Sequence, residues 1–228
     1  MADLGPRPLI CLVTDRRRLV SPPAGEPAGI LHLIELVGAA ARAGVNLIQI
    51  RERDLDAGPL CRLVSRCLEA AAGTSAKVIV NDRLDVALAA RAHGVHLRSD
   101  SIPTPSAREI GGSNLLAGRS VHSADEAADI SGIDYVIMGT IFPSISKPPD
   151  RACRGVDELS RAVRRASAPV LAIGGVTLDR VAEVARAGAA GIAGIGLFCP
   201  PPATGLDEHL QSIVRDVRRA FDTRTAVS

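Results

Sequence analysis

Apolar residues along this chain fall into short runs, and amphipathic stretches separate them. The first run is "PLICLV" (8–13). A helical pattern follows in "GILHLIELVGAAARAG", where Ile30, Leu33, Ile34, Val37 and Ala41 share one face. The second run is "VNLIQI" (45–50), and residues 60–71 read as a helix. "KVIVN" (77–81) is the third run and leads into a helical "LDVALAARA". "GVHL" (94–97) and the weaker "LLAGR" come next, then a helix in "SADEAADI". "DYVIMG" (134–139) is the sixth run, with the helix "VDELSRAVRRA" after it. "PVLAIG" (169–174), the helix "LDRVAEVARAG" and "AGIAGIG" complete the series. The last helix sets Leu206, Leu210, Ile213, Val214, Val217 and Phe221 on one side.

Continuous apolar runs are the mark of strands buried on both faces, as in a parallel sheet covered by helices. Eight strand–helix units predict a (β/α)8 TIM barrel, a single domain over residues 1–228 with short irregular ends. A doubly wound open sheet is the alternative, but eight units in 228 residues fit closure better. The irregular stretches are 21–27, 142–154 and 199–204. The second directly follows a strand, so it is a loop on the face where barrels carry their chemistry.

Composition narrows the function classes. The chain is 46% apolar and 23% charged, with a net charge of +2. No basic stripe is present, and aromatic residues make up only 2%, which argues against a surface that stacks bases. Cysteines stand at 11, 61, 67, 153 and 199, with no C-x-x-C pair; they read as reduced thiols, not a disulfide frame or a zinc site. The run from Leu9 to Val13 is too short for a signal segment or a membrane span. The expectation is a cytoplasmic protein with a small-molecule partner, no nucleic acid and no membrane.

Working residues in this fold lie just past the strand C-termini. Those positions hold Gln49, Arg51 and Arg53, then Asn81 and Asp82, then His96, then Ser120 and His122. Glycines gather after the last two strands, at Gly174, Gly175, Gly194 and Gly196 around Ile195. "AIGGVT" before a helix is a phosphate-cradle signal, because bare backbone N–H groups can approach an anion there. Gly-Gly closing a tight turn is the plainer alternative. The loop "FPSISKPPDRACR" (142–154) offers Ser144, Ser146, Lys147, Arg151 and Arg154, which suits a lid over phosphate or pyrophosphate or else a solvated basic loop.

His122 lies in "GRSVHS", directly before Ser123-Ala124-Asp125-Glu126, an S-x-x-E capping box. A helix start disfavours a nearby cation, so His122 would tend to stay neutral and able to accept a proton. The active-site histidine of triosephosphate isomerase, kept neutral by a helix N-terminus, follows the same logic. The alternative is a structural imidazole bonded to a loop carbonyl. His32 and His209 fall within helices and His93 in a turn, where packing or surface roles are expected. His96 ends a strand and could reach a ligand, although a structural role fits it better.

Several of these segments together resemble the thiamine-phosphate synthase and TenI superfamily. They are "LVTDR" (12–16), "LIQIRERDL" (47–55), "NDRLDVALAARAHGVHL" (81–97), "GRSVHS", "DYVIMGTIFPSISK" and "PVLAIGGVT", and they cover nearly the whole chain. The resemblance implies a TIM barrel that binds a thiazole phosphate, and it makes a homo-oligomer plausible. Two branches compete. The synthase couples a pyrimidine pyrophosphate to the thiazole phosphate, expels pyrophosphate and uses Mg²⁺. Its pattern is met at Gln49, Arg51, Asn81 and Asp82, and loosely at Ser144, Ser146 and Lys147. It departs at Arg53, where the synthase has Lys. It departs again after the fourth strand, where Gly-Gln-x-Asp is replaced by Arg98-Ser99-Asp100-Ser101.

The other branch, a thiazole tautomerase, moves a proton to make a dihydrothiazole carboxylate phosphate aromatic and needs no metal. Arg-Glu-Arg and "GRSVHS" match its pattern, and the resemblance gives the proton transfer to His122. This branch is the leading expectation from sequence. Gly174, Gly175, Gly194, Ile195 and Gly196 would hold the phosphate. Gln49, Arg51, Asn81, Ser120, Ser144, Ser146 and Lys147 would line the substrate pocket, with no metal. The alternatives are a synthase with Asp82 and Asp100 sharing Mg²⁺, a non-catalytic barrel that senses a thiamine intermediate, and a generic phosphosugar isomerase.

Overall fold

The computed structural model describes residues 3–19, 26–143, 153–199 and 205–222. Eight parallel strands close into a barrel in chain order, the first pairing with both the second and the eighth. They are β1 (Leu9–Val13), β2 (Leu47–Ile50), β3 (Lys77–Asn81), β4 (Gly94–Leu97), β5 (Leu116–Val121), β6 (Tyr135–Gly139), β7 (Val170–Ile173) and β8 (Gly191–Gly194). The helices around them are α1 (Glu26–Ala43), α2 (Ala57–Ala70), α3 (Leu84–Ala89), α4 (Thr104–Gly111), α5 (Ala124–Asp129), α6 (Gly155–Arg165), α7 (Val181–Arg186) and α8 (Leu206–Asp222). Closure excludes the open-sheet alternative.

Alternation along each strand explains why the runs are continuously apolar. Successive side chains point to opposite faces. Leu9, Cys11 and Val13 therefore fill the barrel interior with Leu47, Ile79, Ile137 and Leu171. Ile10 and Leu12 point outward and pack, with Ile48, Val80 and Val95, beneath the helix ring. Tyr135 is fully buried inside the barrel, and a Cβ at Gly118 would run into its ring. One bulky side chain on β6 thus requires none at the facing position of β5. The same alternation aims the last inward residues, among them Gln49, His96 and Ser120, at the open end.

Two helical details differ from the sequence pattern. No helix is predicted between the fourth and fifth strands, yet α4 forms there. It buries only Thr104 and Ala107 and leaves Ile110 exposed, so no apolar stripe announces it. The helix expected from Leu178 opens instead as a 3₁₀ turn, Leu178–Arg180, before α7 begins. No described helix is long and apolar enough to cross a membrane.

Candidate active site

A cavity of about 660 Å³ opens at the C-terminal ends of the strands. That is the size of a typical small-molecule site, about 300–1,000 Å³. Gln49, Arg51, Asn81, Ser120 and His122 all line it. Across the barrel, Gly174, Gly175, Gly194, Ile195 and Gly196 line the same space. Ser144, Ser146, Lys147 and Arg151 lie outside the described residues.

Gln49 points inward from β2 and is only 3% exposed. Its Nε2 is the one buried side-chain polar atom without a hydrogen-bond partner among the described residues. Native structures rarely leave such a donor unmet. Because Gln49 lines the cavity, its amide is positioned for a ligand acceptor.

His96 and Ser120 form the neighbouring part of the floor. The register of β4 and β5 sets His96 against Gly118, so Ser120 falls one inward position further along. His96 Nε2 lies 2.9 Å from Ser120 Oγ, and Nδ1 lies 3.2 Å from the Tyr135 hydroxyl. Burial, aided by the Arg119 charge, pushes the His96 pKa down to about 3, so the ring is neutral. The structural role expected for His96 fits this arrangement, and the ring also steers Ser120.

His122 follows β5 and faces the end of β6, because the register matches Val121 with Met138 one step earlier. Its Nδ1 lies 2.8 Å from the Gly139 carbonyl oxygen. A carbonyl only accepts, so Nδ1 carries a proton, and Nε2 is the nitrogen left to act as an acceptor. The capping box is half as expected: Ser123 Oγ accepts from the Glu126 N–H at 3.1 Å. Glu126 Oε2 reaches back one residue further and accepts from the His122 N–H at 2.7 Å. The helix start thereby fixes the backbone of His122. The ring is bonded to a loop carbonyl, as the structural alternative expected, and it also lines the cavity.

Four arginines line the cavity: Arg18, Arg51, Arg53 and Arg98. Burial, and next the nearby Arg53, push the Arg51 pKa down. The Arg51 N–H donates to Thr14 Oγ1 at 2.9 Å, and Thr14 donates to Glu52 Oε1 at 2.7 Å. Glu52 in turn accepts from Arg16 Nη1 at 3.0 Å, and Arg16 Nη2 pairs with Asp54 at 2.7 Å. This buried brace ties the ends of β1 and β2 together behind Arg51. Arg18 was not legible as a site residue; barrel closure brings it against Gly196.

Gly174 and Gly175 have φ of +95° and +62°. A Cβ at Gly174 would meet Thr140, and one at Gly175 would meet the backbone of Phe142 and Pro143. The pair forms a bend in the left-handed region and brings bare backbone to the cavity wall.

Mg²⁺ is the metal that the synthase resemblance implies. Asp82 and Asp100 do converge, but on a guanidinium. Arg98 Nη2 lies 2.5 Å from Asp100 Oδ2, and Nη1 lies 3.5 Å from Asp82 Oδ2. Ser101 Oγ donates to Asp82 Oδ1 and accepts from the Arg98 N–H at 2.8 Å. Both Asp82 oxygens thus face donors, and a divalent cation here would sit beside the Arg98 guanidinium. Asp100 lines the cavity and Asp82 does not. Among the described residues no group of three His, Cys, Asp or Glu side chains could hold a metal. Mg²⁺ is commonly held by one or two carboxylates together with substrate phosphates, and here both carboxylates are engaged by Arg98 and Ser101, so the donor set as arranged does not fit it.

A family model described as thiamine monophosphate synthase (TMP-TENI) matches residues 19–198. The chain belongs to this family. The thiamine-phosphate synthase of Roseiflexus castenholzii is 37% identical over 86% of this chain and 83% of its own. That of Anaeromyxobacter dehalogenans is 45% identical over 73% of this chain and 80% of its own. The thiamine phosphate pyrophosphorylase structure from Pyrococcus furiosus superposes with a TM-score of 0.77 at 29% identity, covering 93% of this chain and 96% of that one. These relatives carry the synthase or pyrophosphorylase name. They back the synthase alternative better than the tautomerase that led the sequence reading.

Proposed function

We propose that this chain is a thiamine-biosynthesis enzyme that joins a pyrimidine pyrophosphate to a thiazole phosphate and releases pyrophosphate. The observation that carries this reading is a cavity with two anion-receptive sides. In a ring of eight strands β7 stands four places from β3. The glycines after β7 and β8 therefore face the side that carries Arg51, Arg53 and Arg98. Two phosphorylated substrates can lie with their charged ends apart and their rings together over the floor. The unpartnered amide of Gln49 is placed to fix one ring, and Ser120, steered by His96, lies beside it. As pyrophosphate departs it gathers negative charge, and guanidinium groups fixed beforehand stabilise that charge. The cavity volume suits two small substrates.

The reading is tested by titrating thiazole phosphate with and without saturating inorganic pyrophosphate. Simultaneous binding supports two anion sides. Mutual exclusion contradicts them.

A second reading, the tautomerase, is favoured by one observation. The Gly139 carbonyl fixes the tautomer of His122 so that Nε2 is the acceptor. A base held in this way is what proton transfer between two ring carbons requires. Deuterium exchange into the dihydrothiazole carboxylate phosphate, lost in His122→Ala, would support this reading over the first.

A further inference from the structure

The side chain of Arg98 occupies the space between two carboxylates that belong to different strands. Its partner Asp100 is 65% exposed, so the pair is weak and open to exchange. The loop that presents both residues is held separately. Arg119 donates to the carbonyls of Ser99 at 3.1 Å, Ser101 at 3.3 Å and Ile102 at 2.9 Å. Ser101 adds a bond to the Arg98 N–H and one to Asp82. The loop therefore keeps its shape whichever anion the guanidinium faces. Arg98 and Asp100 both line the cavity, and Arg18, Arg51 and Arg53 are the other charged groups along its wall. The wall carries four guanidinium groups against one carboxylate among the described residues.

We infer that Arg98 is the cation this site presents to the substrate's pyrophosphate, so that pyrophosphate binds here without a metal. This rests on the proposed synthase reading for the identity of the anion. Asp100 serves as a placeholder counter-ion that pyrophosphate displaces. A guanidinium offers paired donors to phosphate oxygens and needs no water stripped from a metal.

The test is calorimetric titration of inorganic pyrophosphate into the full chain in EDTA. Wild-type protein should bind. Arg98→Ala should weaken binding at least about tenfold, as loss of a close charge partner does. Asp100→Asn retains Arg98 and should tighten binding about threefold, because the competing carboxylate is gone. Binding that begins only when Mg²⁺ is added would overturn the inference. So would an Arg98→Ala protein that binds like wild type, or an Asp100→Asn protein that binds no tighter. The two levels separate cleanly. Thiamine phosphate formation that requires Mg²⁺, with no metal-free pyrophosphate binding, leaves the proposed function and removes this inference. Metal-free binding through Arg98 with no thiamine phosphate formation does the reverse.

Discussion

The Nδ1 of His122 lies 2.8 Å from the carbonyl oxygen of Gly139, so a strand end dictates which ring nitrogen carries the proton. The bond follows from the pairing of β5 with β6, and it gives a sharp expectation. In His122→Asn an amide N–H can still reach Gly139, but the acceptor at Nε2 is gone. If His122 moves a proton, exchange into the dihydrothiazole substrate falls about 10²-fold or more. If its role is to hold the loop, His122→Asn retains activity that His122→Ala loses.

Gln49 sets stability against binding. Its Nε2 is buried and unpartnered. Gln49→Leu removes that amide at similar volume and should raise stability by about 1 kcal/mol, read from the urea midpoint. The same variant should raise KM for the substrate whose ring meets the amide about tenfold. A variant that is both less stable and unchanged in KM would contradict the role assigned to this amide.

Glu52 is buried with Arg16, and their side chains are 1% and 6% exposed. Glu52→Ala leaves Arg16 with Asp54 only part of its compensating charge. The expected loss is about 3 kcal/mol, seen as a lower thermal midpoint. Substrate affinity should also fall, because Glu52 orders Thr14, and Thr14 accepts from the backbone of Arg51.

Acid should destabilise the fold through a histidine. The pKa of His96 is lowered from 6.5 to about 3, chiefly by burial. The unfolded chain therefore binds a proton that the folded chain refuses. The stability that this contributes is complete above pH 6.5 and is lost as pH falls toward 3. His93, whose pKa is lowered by burial and by Lys77, adds to the same window. Between pH 6.5 and about 4.5 ordinary carboxylates remain charged, so the histidines dominate the slope there. His96→Gln should flatten that slope in urea denaturation. An unchanged slope would mean that the ring is not buried neutral.

Much of the site was legible because the two-residue period of a strand aims alternate residues at one end. Once "LIQI" and "GVHL" are read as strands, Gln49 and His96 point inward without further information. The S-x-x-E pattern likewise located the start of α5. What stayed hidden depends on closure. Arg18 follows β1, and only the pairing of β1 with β8 brings it to Gly196. Closure was itself expected, so the residues after the first strand could have been placed beside the last glycines. Arg98 was visible as a departure from the synthase pattern, but its pairing with Asp82 and Asp100 requires the side-chain geometry. α4 left no signal, because a helix that buries two small residues needs no apolar stripe.

The most direct measurement mixes purified protein with the pyrimidine pyrophosphate and the thiazole phosphate and follows thiamine phosphate, beside an active control synthase. Product is expected, formed in EDTA as well as in Mg²⁺ and reduced in Gln49→Leu. No product under either condition, with the control active, would contradict the proposed function and leave the proton transfer at His122 as the reading to pursue.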